Sequence, residues 1–131
     1  MKPAAASCPC GATIAFTACC GRFITAGEVP ATAEQLMRSR YSAYVLRDEA
    51  YLLRTWHSEW RPAVLDVASD TGLKWLGLTV LDTQLGGAFD QIGEVAFIAR
   101  YKRNGKAGRL HERSRFVREG GTWRYVDGTL A

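Results

Sequence analysis

Apolar and aromatic side chains recur every three or four residues from Leu36 to Val45, which is the period of one helix face. The preceding run Thr32-Ala33-Glu34-Gln35 is typical of a capping box that starts this helix. Asp48 can cap a second helix, which is expected to end near His57. Arg61-Pro62 predicts the start of a third, short helix, because proline is tolerated at the first helical position. The part of the chain from Thr32 to just beyond Pro62 is therefore predicted to be helical.

The hydrophobic period changes to two from Lys74 onward. Turn-forming residues at 104–108 and 119–121 separate the later alternating runs, as in a chain of hairpins. The predicted strands are Trp75 to Asp82, Ile92 to Tyr101, Arg109 to Arg118 and Thr122 to Asp127. Helices followed by an antiparallel meander indicate an α+β fold and exclude a parallel βαβ sheet.

Length and composition place few limits on the function. At 131 residues the chain is one domain by length, and its composition, with 47% hydrophobic and 23% charged residues, is that of a globular protein. It has no apolar run of the roughly 18 residues that a membrane span requires, so no membrane association is expected. The start, Met1 to Ser7, has no hydrophobic stretch of a secretory signal, which predicts a cytoplasmic location.

All four cysteines fall within the first twenty residues, as Cys8-Pro9-Cys10-Gly11 and Cys19-Cys20. Every possible disulfide would be local, so in a reducing cytosol the cluster is better explained by a metal. Four thiolates supply the tetrahedral shell that zinc prefers, and they leave no open position for a catalytic water. We therefore predict one structural zinc ion bound by Cys8, Cys10, Cys19 and Cys20. The alternatives are a redox-active vicinal pair at Cys19-Cys20, or unliganded thiols.

The cysteine spacing resembles the SEC-C motif, C-x-C-x₈-C-[CH], known from the tail of the SecA translocation ATPase. Together with Arg38 to Tyr44, Thr55-Trp56-His57 and His111 to Phe116, it makes the chain resemble the bacterial YchJ-like family. The resemblance implies a SEC-C zinc segment over residues 1–27. It also implies a nuclear-transport-factor-2-like (NTF2-like) domain over residues 28–131, in which a curved antiparallel sheet wraps around helices to form a cystatin-like cone. No particular activity is implied.

A cone of this kind usually encloses a pocket. Alternation places Glu112 on the same, inner face of its strand as Leu110 and Phe116, and Arg40 lies on the core stripe of the first helix. Because a buried carboxylate needs a partner, we predict a bidentate Arg40–Glu112 ion pair, which is either purely structural or part of a ligand-binding or acid/base site. The candidate pocket residues are Arg40, Tyr44, Trp56, His57, Glu112, Tyr125 and Asp127.

The segment from Arg100 to Arg118 has eight basic residues and one acidic residue. Alternation puts five of the basic residues on the outer face of the predicted hairpin. They are Arg100, Lys102, Arg109, Arg113 and Arg115. This stripe could meet the phosphates of RNA or of the ribosome. Otherwise it is a solvated face, or an interface with the carboxylates of a second subunit in a homodimer.

Three functions follow from these patterns. The favoured one is a zinc-containing binding or adaptor module with a protein partner. The alternatives are a small-molecule binder or enzyme that uses the pocket around Glu112, and an RNA- or ribosome-associated protein that uses the basic face. The sequence contains no phosphate loop, no cofactor fingerprint and no recognisable set of nucleophile, base and orienting residue, so it does not support an enzymatic activity.

Overall fold

The computed structural model describes residues 7–130. Two of its helices begin where the sequence predicts, because their first amides are capped by side chains. Thr32 Oγ1 accepts a hydrogen bond from the Gln35 amide, and Asp48 Oδ1 accepts one from the Tyr51 amide. The helices are α1 (Gly21–Ile24), α2 (Ala33–Leu46) and α3 (Glu49–Arg54), with short 3₁₀ turns at Phe16–Ala18 and Val67–Ser69.

The prediction of a helix that starts at Arg61-Pro62 is wrong. Residues 61–66 are irregular and lead into the 3₁₀ turn at Val67–Ser69. The Arg61 side chain instead reaches back and donates to the Trp56 carbonyl at 3.0 Å. A helix here would also have had little to bury, since Val64 is 64% exposed.

Four antiparallel strands follow in an uninterrupted meander, β1-β2-β3-β4. They are β1 (Leu73–Leu85), β2 (Ile92–Arg103), β3 (Lys106–Glu119) and β4 (Thr122–Leu130). The β1–β2 register shifts twice, between Trp75 and Gly77 and between Val80 and Asp82, and the β3–β4 register shifts once. Such irregularities bend strands and increase their twist, so the sheet is curved. Helix α2 packs against β1, β2 and β4. The predicted α+β cone is confirmed.

The main core lies between α2 and the sheet. Leu36 from α2 packs with Val95, Phe116 and Trp123 from the strands, all fully buried. Three of the four cysteines, Cys8, Cys10 and Cys20, belong to the same cluster of buried side chains. The cysteine segment is therefore part of the main core and not a separate appendage.

The chain after α3 is joined to the last strand. The Tyr125 amide donates to the Thr55 carbonyl at 2.9 Å, and the His57 amide donates to the Tyr125 carbonyl at 2.8 Å. These bonds place Trp56 beside β4, where its Nε1 donates to the Val126 carbonyl. Among the described residues, no helix is long and apolar enough to cross a membrane.

Candidate functional site

The four cysteine sulfurs converge on one point. All four Sγ atoms lie within 4.8 Å of one another, and Cys10 Sγ is 3.6 Å from Cys19 Sγ. A zinc ion with Zn–S bonds of about 2.3 Å places its sulfurs about 3.8 Å apart at the corners of a tetrahedron. The cluster can therefore hold one metal ion through four thiolates, and its spacing fits zinc.

Local backbone hydrogen bonds fold the chain around this point. The Cys8 amide donates to the Ile14 carbonyl, and the Gly11 amide donates to the Cys8 carbonyl across a turn. Gly11 has a φ of 93°, which a residue with a side chain rarely adopts. Cys20 directly precedes α1, so the second pair of thiols is fixed to the start of that helix. Residues close in sequence thus form most of the site.

The thiol cluster is anchored to α2. Cys8 Sγ lies 3.6 Å from Ser42 Oγ, and Arg38 Nη1 donates to the Cys10 carbonyl at 3.1 Å. A hydrogen bond with Cys20 lowers the pKa of the Cys10 thiol to about 4, whereas burial raises the pKa of Cys19 to about 11. Cys10 is thus the first of these two thiols to become a thiolate, the form that binds metal.

A cavity of about 260 Å³ lies between α2 and the concave face of the sheet. Its wall is largely aromatic, with the Trp75 and Tyr41 rings 6.0 Å apart and the Phe116 and Tyr125 rings 5.8 Å apart. The lining residues are Met37, Arg40, Tyr41, Tyr44, Trp75, Phe97, Ala99, Leu110, Glu112, Ser114, Phe116 and Tyr125. The cone therefore has an interior that side chains do not fill.

Arg40 is the charged residue at the helical wall of this cavity and is only 4% exposed. Its Nη1 donates to the Leu52 carbonyl and to Thr55 Oγ1, both at 2.7 Å, and its guanidinium carbon lies 4.3 Å from the centre of the Tyr125 ring. Across residues 7–130 no carboxylate forms an ion pair with Arg40, so the predicted pair with Glu112 is wrong. Arg40 instead donates two hydrogen bonds, both to acceptors at the end of α3 and neither to the sheet.

Glu112 lines the opposite wall of the same cavity. Its Oε2 accepts a hydrogen bond from Ser114 Oγ at 3.3 Å. Burial raises the pKa of Glu112, an effect that the Ser114 hydrogen bond and the charge of Arg40 partly offset. A side chain at Gly128 would collide with the Glu112 carboxyl group, so this glycine leaves room for it. Arg40 and Glu112 thus line the same cavity, but their side chains do not form an ion pair.

The variant Glu112→Gln is expected to be at least as stable as the parent at neutral pH. Because the folded-state pKa lies above the unfolded value of 4.5, the ionised carboxylate destabilises the fold. This destabilisation is absent below the unfolded pKa, grows as the pH rises, and is complete above the folded pKa. Urea midpoints should therefore favour the variant at about pH 7.5 and converge at about pH 3.5. A loss of about 3–5 kcal/mol at neutral pH would contradict this and restore the ion pair.

Four of the seven predicted pocket residues line the cavity in the structure. Tyr44 and Tyr125 line the cavity with Arg40 and Glu112, and Trp56 lies behind the wall, with its ring 4.9 Å from that of Tyr125. His57 does not reach the cavity. Its Nδ1 accepts a hydrogen bond from the Glu59 amide, which is a local capping role.

Asp127 also lies outside the cavity, and a change of register explains why. Phe116 pairs with Tyr125 but Arg115 pairs with Asp127, so Val126 is an extra residue in β4. An extra residue reverses the inward and outward alternation, and Asp127 therefore points to the outer face. There both of its oxygens accept hydrogen bonds from Arg115 at 2.7 Å, which lowers its pKa.

Several lining residues carried a usable signal in the sequence. Phe97, Ala99, Leu110 and Phe116 occupy inward positions of the predicted strands. Ser114, between them, is a polar residue at an inward position, and that pattern could have identified it. Trp75 had no such signal, because its place in the wall depends on how β1 packs against α2.

The predicted basic surface divides into two parts. Arg113 pairs with Asp82 at 3.1 Å and with Glu94 at 3.6 Å, and Arg115 pairs with Asp127, so these two arginines are neutralised. The other three members, Arg100, Lys102 and Arg109, form no ion pair in the part of the chain that the structure describes. Two of the five residues in the predicted stripe are therefore compensated by carboxylates that come from three other strands.

A curved sheet around a helix with an aromatic cavity, joined to a four-cysteine cluster that can hold a metal ion, defines an NTF2-like domain with a SEC-C-type segment. Residues 32–128 match the family described as "YchJ, middle NTF2-like domain". The chain belongs to this YchJ-like family.

Relatives and solved structures agree with this assignment. A UPF0225 protein of Streptomyces avermitilis is 53% identical over 97% of this chain and 86% of its own length, and one of Chromobacterium violaceum is 52% identical over 99% and 97%. The solution structure of a SEC-C motif containing protein from Rhodopseudomonas palustris superposes with a TM-score of 0.83, at 34% identity, over 96% of this chain and 99% of that one. A crystal structure of a Psychrobacter arcticus SEC-C motif containing protein gives 0.73, at 26% identity, over 95% and 82%.

Proposed function

We propose that this protein is a zinc-stabilised binding module whose cavity takes a small, mostly apolar molecule with one anionic group. The observation that carries the proposal is Arg40, a buried guanidinium in the cavity wall without a carboxylate partner among the described residues. Keeping an uncompensated charge in an apolar interior is unfavourable, and a bound anion would remove that penalty. Zinc at the four cysteines has a structural role in this proposal, because it holds the N-terminal segment against α2.

The cavity chemistry favours binding over catalysis. Burial raises the pKa values of Tyr41, Tyr44 and Tyr125, so these phenols stay neutral and serve as hydrogen-bond donors or acceptors. Aromatic and aliphatic side chains make up most of the remaining wall. A few polar groups in an apolar cavity are typical of small-molecule sites.

The size of the cavity limits the ligand. A cavity of about 260 Å³ lies just below the range of about 300–1,000 Å³ that is usual for small-molecule sites. The ligand we propose is therefore a small apolar carboxylate of the size of benzoate or phenylacetate, whose head group meets Arg40 and whose body lies against Trp75 and Phe97. A protein partner and a homodimer, expected from the sequence, stay predictions.

Benzoate and phenylacetate are suitable probes, with benzyl alcohol as the uncharged comparison. We expect both acids to shift backbone amide NMR signals of the cavity wall, and the alcohol to bind at least about tenfold more weakly because it lacks the charge that pairs with Arg40. Arg40→Met should abolish this preference, whereas Arg113→Met, on the outer face, should retain it.

Ala99→Leu supplies a test that does not depend on Arg40. Ala99 is buried in the wall that the sheet contributes to the cavity, so a leucine at this position would project into the cavity and fill part of it. Binding of both acids should be lost in the folded variant. Equal binding of acid and alcohol, or shifts that persist in Ala99→Leu, would contradict the proposed site.

A further inference from the structure

Four cations lie together on the outer face of the sheet, and we call them the outer basic cluster: Lys74, Arg100, Lys102 and Arg109. Lys74 stands directly opposite Lys102, and Arg100 directly opposite Arg109. Trp75 and Ala99, their neighbours along the strands, line the cavity, so the cluster points to the other side of the sheet. Two like-charge pairs thus stand side by side across β1, β2 and β3.

None of the four forms an ion pair in the described part of the chain. The Arg100 side chain lies across Gly77 and donates only a 3.4 Å hydrogen bond, to Thr79 Oγ1. A side chain at Gly77 would collide with the Arg100 guanidinium. The glycine therefore allows the guanidinium to lie close to the backbone of β1. The cluster is a continuous cationic surface.

The other half of the same face shows the opposite arrangement. There Arg113 and Arg115 are paired with Asp82, Glu94 and Asp127. Like charges directly opposite one another destabilise a sheet, whereas opposite charges stabilise it. The chain thus balances its charges on one half of the face and leaves four cations unbalanced on the other, which is the arrangement expected of a surface that meets an anionic partner.

The composition of the cluster favours phosphates over an acidic protein surface. Protein interfaces have a desolvated apolar centre with aromatic anchors. The strand positions that neighbour the four cations on the outer face include no phenylalanine, tyrosine or tryptophan; they are Gly77, Thr79, Ile98, Ala107 and His111. Guanidinium groups bind phosphate through two parallel hydrogen bonds, and closely spaced cations match a polymer with one charge per unit. Without an aromatic platform for bases, such contacts would not depend on sequence.

We propose that the outer basic cluster binds the phosphate backbone of RNA, independently of base sequence. This surface lies on the opposite side of the sheet from the cavity, so it stands apart from the small-molecule site.

The probe is a fluorescein-labelled oligouridylate of about twenty nucleotides, titrated by anisotropy over a range of salt concentrations. Four phosphate contacts to a single strand predict a log–log salt slope of about −3. Arg100→Gln with Arg109→Gln should weaken binding at low salt by at least about tenfold and reduce the slope to about half. The matched control, Arg113→Gln with Arg115→Gln, removes the same charge from the same face and should retain the parent affinity and slope.

The proposal would be overturned by absence of binding by the parent at low salt, by parent-like binding of the Arg100 and Arg109 variant, or by an equal loss in the control. Displacement of the oligouridylate by polyglutamate at equal charge concentration would instead assign the surface to an acidic protein. The urea midpoint of the test variant should match or exceed that of the parent, since a repulsive pair is removed. If that variant does not fold, Lys74→Gln with Lys102→Gln tests the same cluster.

Discussion

If the four cysteines bind zinc as proposed, Cys20→Ser is expected to abolish metal binding and to lower the free energy of unfolding by about 4 kcal/mol or more. That value corresponds to free metal about a thousandfold above its Kd, since a ligand that binds only the folded state stabilises it by RT ln(1 + L/Kd), where L is the free metal concentration. Cys10 and Cys20 are 0% and 1% exposed and belong to the main core. In the variant, loss of the metal would leave the Cys10 thiol and the new serine hydroxyl buried among apolar side chains without an ion to bind.

The effect should extend beyond the cysteine segment. Cys8 contacts Ser42, and the Cys10 carbonyl accepts from Arg38, so the facing side of α2 is coupled to the site. Hydrogen exchange after chelation should increase in residues 7–25 and along this side of α2. The β2–β3 centre should stay protected, because the sheet has its own buried side chains.

Elemental analysis of fresh, reduced protein should give one zinc per chain, and adding zinc to the chelated parent should restore the urea midpoint. Adding zinc to Cys20→Ser should not. Substoichiometric metal in the parent, or a Cys20→Ser variant as stable as the parent, would contradict a structural zinc site.

Trp123→Ala is expected to lower the free energy of unfolding by about 3–5 kcal/mol, as for other fully buried aromatic side chains. Trp123 is 0% exposed in the core between α2 and the sheet. Its Nε1 donates to the Ala31 carbonyl at 3.2 Å, just before α2, and the Arg118 guanidinium lies 4.4 Å from its ring. The substitution therefore leaves a large cavity and also removes a tie between β4 and the start of α2.

Trp60→Ala is the matched control, because Trp60 is 51% exposed and its ring packs on His57. Its removal should change the stability by no more than about 1 kcal/mol. Urea denaturation of both variants, with unchanged slopes, measures the difference. A Trp123→Ala variant within about 1 kcal/mol of the parent would mean that β4 does not hold the core together as described.

Features that depend on neighbouring residues were predictable from the sequence. The start of α2 follows from Thr32 and Gln35, three residues apart, and the four-cysteine cluster lies within thirteen residues, so short turns can bring the sulfurs together. The inward positions of Phe97 and Glu112 follow from strand alternation, which holds wherever the ladder is regular. In each case the decisive interactions span a few residues or repeat with a fixed period.

Tertiary structure decided which polar groups meet. Arg40 pairs with the end of α3 and not with Glu112, because the path of the chain after Arg47 brings Leu52 and Thr55 against α2. One extra residue in β4 turned Asp127 from the cavity to the outer face. Strand pairing also brings carboxylates of the other three strands next to Arg113 and Arg115, which neutralises these two members of the basic stripe. A charged side chain can reach partners on other strands and helices. The sequence alone does not specify the register in which those strands pair, so the partners of each charge are determined only by the tertiary structure.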